Sequence, residues 1–522
     1  MATRILVAAA LTMAALGPQT AAAQMHTVMT SSGALAGAVA RGVVTYKAIP
    51  YAAPPIGARR FSAPHEPARW RGVRSVADFA PACMQTGVSM PGEVPPPVSE
   101  DCLYLNIWTP AAKATHRRAV MVWIHGGGYT NGSAAMPLYW GDHLAKQGIV
   151  VVTIAYRLGP FGYLCHPALT AESVHGSCGN YALLDQIAAL RWVQRNISAF
   201  DGDSSRVTIA GQSAGSMSVS MLLSSPLATG LFRGAIGQSG GVFEPTQLAP
   251  QYRQRDAETQ GVAYAASVGA PSLDSLRALP AARLLGGHAM QVAHPVLEPY
   301  VLPRSPYDAY VHGEQPDVPV LIGSNAEEAR SLVDVSQVRA ATFDADITAR
   351  FGALPPALFA AYPHATDADA RAARLDFERD LRFGWDMWAW ARLHAAQSRA
   401  PVYAYRFERR PPFPATSIHA GWGASHFAEL WYMFDHLDQA PWKSQPADRV
   451  LARAMSRYWV NFVKTGDPNA AGLAPWTPYA AAQPHVMRLG DTLEMGDVLG
   501  VDRLHVFDDV YARVRGKPFG IR

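Results

Sequence analysis

Short apolar runs recur through the middle of the chain, each ending at a turn: 119–124, 149–156, 207–210, 235–237, 318–322 and 401–407. Most are rich in Val and Ile, and they do not alternate strictly with polar residues. Such runs suit strands buried on both faces of a mainly parallel sheet. Between the second and third, residues 182–197 place Leu183, Ile187, Leu190 and Trp192 or Val193 at helical spacing, which predicts a strand–helix–strand crossover. A second helical pattern, 376–397, carries Phe377, Phe383, Trp385, Trp388 and Trp390. An aromatic stripe of this kind packs a core, with one edge available to line a pocket. No internal repeat or low-complexity linker breaks the pattern. Residues 24–522 therefore read as a single α/β domain, with a mostly parallel central sheet, flanking helices and long insertions.

The first residues stand outside that unit. Arg4 precedes an apolar run over 5–16, followed by Gly17-Pro18 and then Ala21-Ala22-Ala23. This predicts a secretory signal peptide over 1–23, because the run is shorter than the ~20 residues of a membrane span. No later stretch is long and apolar enough to cross a bilayer, so no membrane span is expected after cleavage, and a secreted or periplasmic location follows. Of the 522 residues, 49% are hydrophobic and 16% charged, with a net charge of +4. That excludes a disordered chain, and without a dense Lys/Arg run it excludes a nucleic-acid partner. Export also changes the meaning of four cysteines. Pairing nearest neighbours gives Cys83–Cys102 and Cys165–Cys178, with four buried thiols as the alternative.

The chemistry begins at two copies of G-x-S-x-G, Gly211-Gln212-Ser213-Ala214-Gly215 and Gly237-Gln238-Ser239-Gly240-Gly241. Small residues flank a nucleophile held on a cramped strand-to-helix turn. Ser213 follows the apolar run 207–210 and precedes a segment that can be helical. Ser239 is soon followed by Pro245, which blocks a helix. Ser213 is therefore the candidate nucleophile, and Ser239 reads as structural. His125-Gly126-Gly127-Gly128 directly follows the run ending at Ile124, where an oxyanion loop belongs. Its expected donors are the amides of Gly127, Gly128 and Ala214.

Further motifs carry a specific resemblance. Ile49-Pro50-Tyr51-Ala52, Ser99-Glu100-Asp101-Cys102-Leu103-Tyr104-Leu105-Asn106, Leu184-Asp185-Gln186 and Thr465-Gly466-Asp467-Pro468-Asn469 occur in this order around the elbow. Over nearly its whole length the chain resembles the type-B carboxylesterases, the α/β-hydrolase family of cholinesterases and bacterial p-nitrobenzyl esterases, and it is nearest in character to the latter. The resemblance implies a serine carboxylic ester hydrolase with a Ser-His-Glu triad and no metal or organic cofactor. Within Gly323-Ser324-Asn325-Ala326-Glu327-Glu328-Ala329, Glu328 aligns with the family's catalytic acid. Glu327 and Ala329 depart from the usual Asp and Gly, which keeps Glu327 as an alternative. His426, in Gly423-Ala424-Ser425-His426-Phe427-Ala428-Glu429-Leu430, aligns with the catalytic histidine, and His419 is its nearest rival.

Departures from the family narrow the expected substrate. The loop over 84–101 lacks the tryptophan that meets choline in cholinesterases, and Gln212 replaces the Glu common before the nucleophile. Both argue against a quaternary-ammonium ester and for a small-molecule, uncharged aliphatic or aromatic ester. The rival readings are a specialised esterase for a bulky mycotoxin, pyrethroid, carbamate or aromatic polyester, and a non-catalytic adhesion homologue.

Overall fold

A computed structural model describes residues 25–520 apart from 89, 91, 92 and 353; the expected signal peptide lies outside the described residues. All six expected strands form, with a seventh, and they pair in parallel. They are β1 (Arg118–Ile124), β2 (Val150–Ile154), β3 (Gly202–Gln212), β4 (Gly234–Gln238), β5 (Val320–Asn325), β6 (Val402–Phe407) and β7 (His485–Leu489). Their spatial order is β2-β1-β3-β4-β5-β6-β7. Residues Val150–Ile154 are all buried, which explains why these strands read as apolar runs without alternation. Antiparallel strands extend the sheet beyond β2 (Tyr104–Pro110, Val43–Pro50, Ala34–Ala40, Met25–Met29), and Leu493–Asp497 closes the far edge.

Helices cover both faces. The crossover helix α1 (Tyr181–Asn196) joins β2 to β3, and α2 (Ala214–Ser224) begins one residue after Ser213. The second expected helix is longer and less regular than its pattern predicts. It starts as α3 (Asp367–Arg379), widens into a π turn over Asp380–Gly384 and continues as α4 (Trp385–Gln397). Trp385 and Trp390 are core residues, whereas Phe377 and Phe383 line the main cleft. A further helix, α5 (Pro446–Thr465), lays Leu451, Met455, Trp459 and Phe462 into the core at helical spacing.

Two acidic residues hold loops in place. Glu298 is buried and accepts the N–H groups of Tyr300 (2.7 Å) and Val301 (2.8 Å) and the Asn180 amide (2.9 Å). Asp201 turns the chain at φ 63° and pairs with Arg118 at 3.3 Å.

Cys83 is bonded to Cys102 and Cys165 to Cys178, with Cα–Cα separations of 5.0 and 4.7 Å. No helix among the described residues is long and apolar enough to cross a membrane. The Cys83–Cys102 bond closes a loop across 19 positions. Replacing both residues by Ser is expected to lower the unfolding free energy by about 3 kcal/mol in a urea titration.

Candidate active site

The segments that follow β1 and β3 line one cleft, and the segment that follows β5 reaches the histidine that lines it too. At the end of β3 the chain reverses into α2, and Ser213 takes φ 56°. Its N–H donates to the Gln238 carbonyl on β4 (2.8 Å). The turn needs a glycine at 215, where a Cβ would lie 2.1 Å from the Ile124 carbonyl oxygen. Ala214, the first residue of α2, points its amide out of a helix N-terminus, where the backbone dipole favours negative charge.

The glycine loop after β1 also needs its composition: Gly127 and Gly128 have φ 110° and 60°. His125 anchors this loop and does not face the cleft. It is buried against Tyr156, ring centroids 4.4 Å apart, and Tyr156 donates to its carbonyl at 2.6 Å. Burial lowers the His125 pKa to about 4, so its ring is neutral. Gly127, Gly128, Ser213, Ala214 and His426 all line one cleft of about 920 Å³.

His426 Nδ1 lies 2.6 Å from Glu328 Oε2. Both groups are buried, and Glu328 Oε1 accepts the Asn325 N–H at 2.7 Å. The imidazole is held on its faces as well. Phe383 stacks on it at 4.6 Å, and the Gln212 amide nitrogen lies 3.2 Å from Nε2 and 3.5 Å from Nδ1. The rival residues are engaged elsewhere. Glu327 binds Arg410 (2.8 Å), Arg330 (2.8 Å) and the Ala424 N–H (2.9 Å); despite part-burial these partners hold its carboxyl below the usual range. His419 packs against Phe413 and Trp422 outside the cleft lining. Ser239 is fully buried, and its Oγ has no hydrogen-bond partner among the described residues.

Behind the imidazole lies a layer that the motif reading did not interpret. Glu429 is buried beside Glu328 and accepts from Asn325 Nδ2 (2.5 Å) and Gln238 Nε2 (3.2 Å). Trp459 Nε1 donates to Gln238 Oε1 at 2.9 Å. Glu429 and Asn325 lie in the motifs around His426 and Glu328, and Gln238 in the second pentapeptide, but nothing local in the sequence says that these residues meet one another and Trp459. Asp142, His143 and His436 bring three possible metal-ligand atoms within 4.8 Å. His436 Nε2 and His143 Nδ1 already donate to the Trp140 and Asp435 carbonyls, and Lys146 pairs with Asp142 Oδ2, so both histidines and one carboxylate oxygen are engaged within the protein.

Solved structures share this fold. A thermophilic p-nitrobenzyl esterase is 31% identical, with a TM-score of 0.81 over 92% of this chain and 99% of that one. A Geobacillus stearothermophilus carboxylesterase is 33% identical at a TM-score of 0.80, with the same coverage. The fold is that of the α/β-hydrolases. Among curated relatives, a fumonisin B1 esterase of Sphingopyxis macrogoltabida is 36% identical over 90% of this chain and 88% of its own. A para-nitrobenzyl esterase of Bacillus subtilis is 35% identical over 87% and 92%. The chain belongs to the Carboxylesterase family, which matches residues 24–506. It is a carboxylic ester hydrolase.

Burial, with Glu328 alongside, raises the Glu429 pKa from 4.5 to about 7. A carboxyl raised in the folded state favours the protonated form, so stability is lost as pH climbs from the unfolded value through the folded one. The loss totals roughly 3 kcal/mol. Glu429→Gln is expected to flatten the fall in stability between pH 5 and 8, read by chemical denaturation at each pH. A slope equal to that of the wild type would contradict it.

Proposed function

We propose that Ser213, His426 and Glu328 form the catalytic triad of this ester hydrolase, with the amides of Gly127, Gly128 and Ala214 as its oxyanion hole. The observation that carries the reading is the 2.6 Å contact between His426 and Glu328, in a cleft that Ser213 and the three amide-bearing residues also line. His426 Nδ1–H donates to Glu328, which leaves the Nε2 lone pair to accept the Ser213 proton as Oγ attacks the ester carbonyl. Negative charge then develops on the carbonyl oxygen, where the amides and the α2 N-terminus favour it; one such donor contributes ~10²–10³ in rate. The alcohol departs with the proton that His426 held. A water molecule, deprotonated by His426, attacks the acyl-enzyme, the acid leaves, and Ser213 regains its proton.

Gln212 bears on the substrate. Its neutral amide stands beside His426 Nε2, so this position supplies no anion to attract a quaternary ammonium, which argues against a cationic ester. The cleft volume of about 920 Å³ is near the upper end of ligand pockets, ~300–1,000 Å³. That supports the second reading, an esterase that also admits a bulky substrate. Two disulfides support export, with residues 1–23 as the removed signal.

Ser213→Ala is expected to abolish hydrolysis of p-nitrophenyl esters, whereas Ser239→Ala retains most of it; the reverse outcome would overturn the choice of nucleophile. Glu328→Gln should cost about 10⁴ in kcat, while Glu327→Gln keeps kcat near wild type. A dead Glu327 variant with an active Glu328 variant would transfer the acid role to Glu327.

A further inference from the structure

Charge is unevenly placed around the proposed reaction centre. Deep in the cleft, Glu244 and Asp386 lie together, and burial raises both carboxyls, Asp386 well above its ordinary range. Arg515 is close by, so this side of the cleft is near neutral. The wall bearing Arg350 and Arg382 is different.

Both arginines converge on one carboxylate. Glu378 is fully buried; its Oε2 accepts from Arg382 Nε at 2.7 Å, and its Oε1 lies 3.9 Å from Arg350 Nη1. Oε1 already accepts two bonds from the buried Arg374, at 3.0 and 2.7 Å. Burial opposes the charge, yet the Arg382 and Arg374 guanidiniums keep the Glu378 carboxyl below its usual range. Three guanidiniums therefore share one carboxylate, and two positive charges stay uncompensated within the cluster. The excess falls on the cleft side, where the Arg350 and Arg382 side chains are 52% and 38% exposed, against 9% for Arg374. Among the described residues neither forms another ion pair.

The placement is close to the chemistry. Arg382 belongs to the π turn over Asp380–Gly384, and the next residue, Phe383, stacks on His426. The widened turn brings both side chains to the cleft. Arg350 arrives from the last turn of a separate helix, Phe343–Phe351. Half-exposed guanidiniums with unused donors match a carboxylate in shape and charge.

We infer that Arg350 and Arg382 form a carboxylate subsite, and that the preferred substrates are esters bearing a free carboxylate on their acyl or alcohol part. The inference rests on the triad reading above and adds a charge preference to it. Neutral esters are turned over without the subsite, and cationic esters are repelled by it.

Two substrate pairs test it in the unmodified enzyme. Mono-4-nitrophenyl adipate is compared with 4-nitrophenyl heptanoate, and 4-acetoxybenzoate with 4-acetoxybenzamide, each kcat/KM being normalised to the hydroxide-catalysed rate. In at least one pair the charged member should be favoured about fivefold or more at low salt. The preference should shrink toward unity at about 0.5 M NaCl and in the Arg350→Gln/Arg382→Gln variant. Because the readout is a ratio, a general loss of activity in the variant cancels. Ratios at or below one in both pairs would overturn the subsite, as would a preference that neither salt nor the substitutions change. Failure of the triad reading shows separately, as turnover that survives Ser213→Ala.

Discussion

The proposed reaction centre hangs from a single strained backbone turn. Ser213 is held at φ 56°, a conformation that costs a non-glycine residue ~1–3 kcal/mol unless its surroundings enforce it. Here three of them do. β3 is locked between β1 and β4, with Gly211 in register with Ile124 and Gly237. The Ser213 N–H is tied to the Gln238 carbonyl, and Gly215 packs against the backbone of Ile124, the residue that leads into the glycine loop. The serine and the loop amides are thus positioned by one backbone contact. A shift of one residue in β3 would reverse every side chain along it and separate them.

The histidine has no comparable support from the sheet. Residues 421–429 contain no regular secondary structure, so the position of His426 depends on two backbone bonds to the segment after β5, Glu327 N–H to Ala424 and His426 N–H to Glu328, and on side chains. A buried polar string supplies it: Trp459 on α5 holds Gln238, Gln238 and Asn325 hold Glu429, and the Asn325 backbone holds Glu328, which meets the imidazole. Asn325 also donates to the Ser425 carbonyl at 2.8 Å, tying β5 to the histidine loop. Buried polar networks stabilise a unique arrangement only when their members are satisfied. This one includes a carboxyl, Glu429, that burial keeps partly protonated near neutrality. The geometry at His426 therefore comes at some expense to folding stability.

The local features of this layout were legible in the sequence. Uninterrupted apolar runs marked six parallel strands because both faces of those strands are covered. The elbow and glycine loop were legible because close backbone approach restricts residue type. The N-terminal antiparallel strands were not, since segments such as Ala34–Ala40 (ALAGAVA) have little intrinsic strand preference and depend on pairing. The π turn was invisible because a helical pattern does not report one added residue in a turn. The arginine cluster was only half visible: Arg374, Glu378 and Arg382 share a face at i, i+4 spacing, but Arg350 joins them from another helix. Near-neutral net charge gave no hint of that local excess.

The two pentapeptides separate what a motif encodes from what a site requires. Ser239 reproduces the backbone of Ser213, with φ 54° and an N–H bonded to the Gly323 carbonyl of the next strand (2.8 Å). G-x-S-x-G is thus a backbone solution for leaving a parallel strand, and this sheet uses it twice in adjacent strands. What differs is the surroundings. After Ser213 comes α2, whose amides face a cleft shared with His426. After Ser239 come Gly240 and Gly241 without a helix, and its hydroxyl is sealed in the interior with no hydrogen-bond partner among the described residues. A buried hydroxyl without a base or an approach path has nothing to attack and nowhere to send its proton. Reactivity is therefore set by the helix and the cavity beyond the turn, and the turn itself supplies only the aim.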